Sequence, residues 1–204
     1  MAWKDLTPKT FASIRELNGI SARTQEEHYE LYKGYVGKVN EIQKKLDAVD
    51  RTTANQIFSD LRSLRVDYSF ALGGMKNHEI YFAHLGGSGG SPTGKLRELI
   101  ERDFPSYDAW LADFKASGLA ARGWVWLAYD HDLSMLSTVV GDAQNTFPVW
   151  NATPILALDV YEHAYWFDYG RARAKYIDAF FNNLDWTVVA ANLDRALAMQ
   201  PAGK

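Results

Sequence analysis

The sequence contains no cysteine. That excludes a disulfide framework, a thiolate zinc site, an iron–sulfur cluster and a cysteine nucleophile. An excess of positive charge is also missing: 22 Lys and Arg stand against 25 Asp and Glu, a formal net charge of -3 with the five His neutral. This balance argues against a nucleic-acid partner, which needs a strongly basic face. No apolar run approaches the length of about eighteen residues that a membrane span needs, and the opening Met1-Ala-Trp-Lys-Asp has no apolar leader region. No membrane association and a cytoplasmic location are therefore expected. Phosphate-loop, dinucleotide, nucleophile-elbow and HExxH patterns are absent too, and Gly94-Lys95-Leu96 lacks the hydroxyl of a phosphate loop.

What the chain has in quantity is aromatic side chains: 7 Trp, 11 Tyr and 10 Phe make up 14% of its 204 residues. With 47% hydrophobic and 23% charged residues it has the balance of a folded protein with a sizeable core. Any metal would have to be held by nitrogen and oxygen.

Residues 1–20 read as an irregular arm with a turn at Asn18-Gly19. A long helix is predicted from Ser21 or Thr24 to about Val49. Thr24 and Glu27 have the form of a capping box, and Tyr32, Tyr35, Val36, Val39, Ile42 and Leu46 keep a helical period. A second helix is predicted over 52–83, with Ile57, Leu61, Leu64, Tyr68, Ala71 and Met75 on its apolar side. Gly73-Gly74 lies inside it, which marks a break or a place where another group packs on the backbone. The run Leu85–Gly94, with Pro92, cannot stay helical and reads as a linker. The predicted organisation is an N-terminal helical-hairpin domain (1–85), a Gly-rich linker (86–94) and a C-terminal domain (95–204). Beyond the linker come short helices at 94–103 and 106–117, started by Thr93 and Ser106. Strands follow at 123–129, 133–140 and 154–160, the first two joined as a hairpin through Asp130-His-Asp132. Helices return at 171–182 and 186–198. The fold class is α+β, a helical hairpin followed by a domain with a three-stranded antiparallel sheet.

The sharpest local feature is Asp159-Val-Tyr-Glu-His163 at the end of the third strand. An ionised Asp and a neutral His leaving one strand can converge on a cation, and this donor set suits Fe, Mn or Zn; an Asp at a strand end can equally cap a turn. His28 and His78 lie on the two long helices, each a metal ligand or a satisfied core histidine. Tyr32 and Tyr35 share the helix face of His28, and Gly74 leaves room one turn before His78. His84 and His131 read as exposed and receive no function. Trp124, Trp126, Phe82, Trp166 and Phe147 read as core or as the dry wall of a charged site.

Asp159-Val-Tyr-Glu-His-Ala-Tyr165 closely resembles the signature of the iron/manganese superoxide dismutases. Gly73-Gly74-Met-Lys-Asn-His78, the Gly-rich loop to Gly94, Gly123-Trp-Val-Trp126, and Arg171-Ala-Arg173 with Tyr176-Ile177 and Asp185-Trp186 resemble further motifs of that family in the same order. The resemblance spans about residues 5–198. It implies one Mn or Fe ion per subunit held by His28, His78, Asp159 and His163, with superoxide as substrate. It also implies that Gln144 and Tyr35 work beside the ion and that Trp124, Phe82 and Tyr161 keep the site dry. Arg173 would steer the anionic substrate, and Glu162 would bridge to His163 of a second subunit in a homodimer, with tetramers a further possibility. Gln144 stands where manganese-type members carry their glutamine, while Gly74 stands where iron-type members supply one.

The departures fall around the gateway. Family members commonly place eight residues between the first ligand and the gateway tyrosine; here His28 to Tyr35 is seven. Losing one residue turns a helix by about a hundred degrees, unless the family helix carries a one-residue bulge that this chain lacks. The expectation is a regular helix with Tyr35 as gateway, Tyr32 being the other candidate. Tyr32 replaces the family's second helical histidine, and Trp166 replaces the tyrosine it meets across the dimer. A competing alignment puts Glu27 in the ligand position. Two other readings stay open: a metal-binding homologue of low activity with a structural role, and a metal-assisted hydrolase on the same ligands.

Overall fold

The computed structural model describes residues 3–146 and 149–199; Phe147 lies outside them. Helix α1, Ala22–Ala48, buries Tyr32, Val36, Val39, Ile42 and Leu46 as its period demands. It starts at Ser21, whose Oγ accepts from the Thr24 amide. The capping box is not formed. Thr24 is buried and donates instead to Asp168 at 2.8 Å, while Glu27 points to solvent. No π turn interrupts α1, so the seven-residue spacing from His28 to Tyr35 is carried by a regular helix, as expected.

Helix α2, Asp60–Ala83, starts eight residues later than predicted. The short polar side chains before it satisfy backbone donors locally: Asp50 accepts from the Thr52 amide and Asn55 from that of Ile57. Such bonds compete with helix formation. Ile57, counted on the apolar side, is 84% exposed. Ser59 supplies the actual cap. The glycine pair does not break α2 but receives its neighbours. A Cβ on Gly73 would lie 2.2 Å from the Gln144 carbonyl oxygen, and one on Gly74 would lie 2.7 Å from the Tyr35 ring.

The Gly-rich loop after α2 is bonded to the far end of the chain: Gly86 and Gly87 donate to the Asn183 carbonyl and Gly89 to that of Leu184. Helices α3 (Gly94–Asp103) and α4 (Tyr107–Ala120) follow. Ser106 caps α4 as predicted, whereas Thr93 makes no side-chain cap bond.

Strands β1 (Trp124–Asp130), β2 (Met135–Gly141) and β3 (Ala152–Asp159) form an antiparallel sheet in the order β2-β1-β3. The register sets Asp159 opposite Trp124. It slips between Leu127 and Ala128, leaving Ile155 without a partner on β1 beside Pro154, a bulge on an edge strand where a residue lacking N–H is tolerated. The free edge of β3 is sealed by side chains from three helices. Asn192 donates to the Ile155 carbonyl, the Ala157 amide donates to His84 Nε2, and Tyr176 donates to the Asp159 carbonyl. Edge strands left bare invite foreign pairing; this one is closed.

A 3-10 turn, Glu162–Ala164, and a short helix α5, Trp166–Tyr169, follow β3 and were not anticipated. Helices α6 (Arg173–Asn182) and α7 (Trp186–Ala198) complete the α+β architecture. The core gathers Trp110, Phe114, Trp124, Tyr176 and Phe180, all fully buried. Trp166 corrects the core reading: it is 48% exposed on α5. His84 is corrected too. It is wholly buried at the end of α2, because its ring is the acceptor for β3. His131 is half-buried and bonded to Thr153.

Candidate metal centre

Four side chains distant in sequence converge where α1, α2 and the end of β3 meet. His28 comes from α1, His78 from α2, Asp159 from the last position of β3 and His163 from the 3-10 turn. Their ligand atoms all lie within 4.8 Å of one another. Asp159 Oδ2 is 3.1 Å from His28 Nε2, 3.1 Å from His163 Nε2 and 3.5 Å from His78 Nε2. Glu27, the competing ligand, faces solvent.

Three of the four residues are fully enclosed, and His163 retains partial exposure. A carboxylate and two imidazoles shut away from solvent, with a third imidazole against them, are costly unless a cation sits among them. His78 Nε2 is buried without a hydrogen-bond partner, so its lone pair points to where a metal would accept it. Hard oxygen with imidazole nitrogen fits manganese or iron.

The electrostatics agree. Burial pulls the His78 imidazole down to about 3 and lowers His28 as well, which keeps both neutral as ligands must be. Burial works to raise Asp159, but His163 and His28 hold it well below the usual carboxylate range. His163 is pulled down by burial yet raised overall by the Asp159 carboxylate.

The surrounding bonds orient these groups. Asp159 Oδ1 accepts from the Tyr161 amide at 2.9 Å, which leaves Oδ2 facing the centre. His78 Nδ1–H donates to the Gly74 carbonyl at 2.6 Å, fixing Nε2 as the free nitrogen. Gln144, between β2 and β3, accepts from Trp124 Nε1 at 2.9 Å and donates to the Tyr35 hydroxyl at 3.2 Å. Tyr35 lies with its ring 5.3 Å from that of His78. Trp124, Phe82 and Tyr161 wall the site: their rings lie 5.2 Å from His78, 4.9 Å from His28 and 5.3 Å from His163. Burial raises the Tyr35 phenol and pushes Tyr161 to about 12, so both stay protonated at neutral pH.

The remaining predicted residues lie further out. Tyr32 is fully buried, but its hydroxyl accepts from the Lys9 amide and donates to Glu79, on the side of the N-terminal arm. Between the two gateway candidates, Tyr35 is the one bonded to Gln144. Glu162 is exposed beside His163. Arg173 donates through Nε to the Tyr165 hydroxyl at 3.1 Å and through Nη1 to the Ala121 carbonyl at 2.8 Å. Sequence reasoning passed over Tyr81 and Gln25, both fully buried near His28. The available signal was a glutamine on the apolar stripe of α1, one turn before a histidine.

Known proteins point the same way. A family model described as iron/manganese superoxide dismutases, C-terminal domain, matches residues 92–192. The iron superoxide dismutase of Aquifex aeolicus is 40% identical over 204 residues, covering 98% of this chain and 96% of that relative. The iron superoxide dismutase of Cupriavidus metallidurans is 39% identical over 187 residues, covering 89% and 92%. A manganese superoxide dismutase of Haloferax volcanii is 35% identical over 182 residues, covering 88% and 90%. With its four converging ligands and this likeness over nearly its whole length, the chain belongs to the iron/manganese superoxide dismutase family.

Proposed function

We propose that the protein dismutes superoxide: two superoxide anions and two protons give dioxygen and hydrogen peroxide. The observation that carries this reading is the convergence of His28, His78, Asp159 and His163, with ligand atoms within 4.8 Å of one another. A bound manganese or iron ion supplies the one-electron oxidation and reduction; relatives are named for both metals.

The chain's own residues do the rest. Asp159 contributes the negative charge that offsets part of the cation's, and the three imidazoles bind as neutral donors. The Tyr35 hydroxyl accepts from Gln144 and keeps its own proton, which leaves that proton directed away from the glutamine and available to reduced dioxygen. Gln144 is held by Trp124, so the amide does not wander. The aromatic wall excludes water and strengthens every electrostatic interaction inside it.

The substrate is an anion and the protein carries a formal charge of -3, so local positive charge has to draw it in. Arg173, tied at Tyr165 and Ala121, is proposed for this role. An Arg173→Ala variant is expected to lose rate and much of its ionic-strength dependence; unchanged kinetics would refute the assignment. Glu162, exposed beside His163, is proposed to reach His163 of a second copy, making a homodimer; sedimentation of wild type and Glu162→Ala tests this. Among the described residues no helix is long and apolar enough to cross a membrane, and the proposed site of action is the cytoplasm.

The decisive experiment is reconstitution of metal-free protein with manganese and with iron, with metal content and superoxide consumption measured for each. Activity with either ion, lost in Asp159→Ala together with the bound metal, is expected. Inertness in both forms would transfer the centre to a structural role.

A further inference from the structure

His28 and His78 occupy equivalent positions at the centre, yet the structure backs them differently. A metal-ligating histidine uses its second ring nitrogen as an N–H donor, and the partner of that donor sets the ring's orientation and basicity. For His78 the partner is the carbonyl four residues earlier in α2, Gly74. For His28 the donor is Nδ1, because Nε2 faces Asp159. Among the described residues that buried Nδ1 has no hydrogen-bond partner.

One turn before His28, on the same face of α1, is Gln25. Helical side chains lean toward the N-terminus, so residues three apart lie one over the other. Gln25 is completely buried, and both of its amide atoms lack a partner at hydrogen-bonding geometry. A buried amide left unpaired is expensive. A donor and an acceptor that both need partners thus sit one turn apart in a closed interior.

Counting protons determines which way the amide faces. Tyr176 spends its single hydroxyl proton on the Asp159 carbonyl at 2.7 Å. In the 3.2 Å contact between the Tyr81 and Tyr176 hydroxyls, Tyr81 must therefore donate and Tyr176 accept. The Tyr81 oxygen then has only acceptor capacity left. The Gln25 amide approaches this hydroxyl, and the Tyr81 ring lies 5.0 Å from that of His28. The amide nitrogen belongs on Tyr81, which turns the amide oxygen to His28.

We propose that Gln25 is a positioning residue for the metal ligand His28. Its amide oxygen accepts from His28 Nδ1–H and its amide nitrogen donates to Tyr81, each directly or through one buried water. The resulting chain runs from His28 through Gln25, Tyr81 and Tyr176 to the main chain of Asp159. Two of the four ligands are thereby joined behind the centre. The inference rests on the metal-binding reading above.

The test separates orientation from packing. Gln25→Leu removes the acceptor at nearly constant volume. The dissociation constant of Mn2+ is measured by competition with a chelator, and thermal unfolding is followed on the metal-free protein. Loss of an acceptor behind a ligating histidine is expected to weaken Mn2+ binding roughly 10- to 100-fold. In the metal-free protein the same substitution leaves the His28 Nδ1–H and the Tyr81 hydroxyl each short of a partner, so some loss of stability is expected there too. Rescue by a side chain that keeps the acceptor is what a packing role would not produce. Gln25→Glu, which keeps the acceptor, is expected to bind Mn2+ more tightly than Gln25→Leu. Unchanged affinity in Gln25→Leu, or a Gln25→Glu variant that binds Mn2+ no more tightly than Gln25→Leu, would overturn the proposal while leaving the wild-type centre intact. A wild-type protein that binds neither manganese nor iron would overturn both readings.

Discussion

Helices α1 and α2 each bring one imidazole to the centre, and they do it by different means. α1 works through its side chains: a continuous apolar stripe lays it on the core, and His28 and Tyr35 follow from that stripe by helical spacing alone. α2 works through its bareness. Its ligand leans on its own main chain, and its middle is stripped at Gly73 and Gly74 so that the Gln144 backbone and the Tyr35 ring can sit against it. One helix supplies groups and the other supplies a surface for groups from elsewhere. The two therefore differ in what they tolerate, and substitutions can be chosen to break that contrast.

The harshest is Gly73→Ala. Alanine gains roughly 1 kcal/mol over glycine in a helix, but here the new Cβ meets a main-chain oxygen that cannot turn aside. Overpacking of this kind costs about 1–3 kcal/mol, so a net loss of stability by urea unfolding is expected, together with lower activity as Gln144 is displaced. A more stable variant would show that the close approach is not there.

Acid should expose α2 next, through His84 at its end. Burial holds the His84 imidazole down at about 3. Above pH 6.5 it is neutral folded and unfolded, and its acceptor bond to Ala157 contributes in full. As pH falls from 6.5 toward 3 the unfolded chain takes up the proton first, so stability is lost at about 1.4 kcal/mol per pH unit, or roughly 2 kcal/mol by pH 5. Denaturant unfolding of metal-free protein at pH 7 and pH 5 reads this out. His84→Asn should flatten the slope by one proton, and an unaltered slope would assign it to the ligand histidines.

The helix starts are where the pair should behave alike. Ser21→Ala and Ser59→Ala each remove a cap and are expected to cost about 1 kcal/mol. A clear inequality in thermal unfolding would mean that one start is held by tertiary contacts, for which Asp168, bonded to both the Ser21 amide and Thr24, is the obvious candidate. Mildest of all is Gly34→Ala in α1. Nothing lies within 4 Å of the added methyl, so the variant should gain up to about 1 kcal/mol of stability with activity unchanged. A loss there would overturn the idea that α1 is permissive.

The same contrast explains what could be read beforehand. The stripe of α1, the aromatic and β-branched runs of β1 and β2 and the Asp159-to-His163 motif are local patterns, and each is legible in the sequence. The start of α2 was misplaced because Ile57 extends its apolar period by coincidence, while Asn55 and Ser59 hold the actual boundary. The burial of His84 was invisible because its partner, Ala157, lies 73 residues away. The pairing of Gln25 with His28 had a local signal in its spacing. Its meaning depended on Tyr81 and Tyr176, which only the fold assembles.

The sealed edge of β3 bears on how the protein is made. Its clasps come from His84, Tyr176 and Asn192, so a chain emerging from the ribosome holds His28 and His78 long before the strand carrying Asp159 can be locked in place. Two imidazoles on a nascent hairpin make a poor trap for any ion. Firm capture of a metal is thus expected only once α7 has emerged, so that ions compete for a folded protein, not for a growing one.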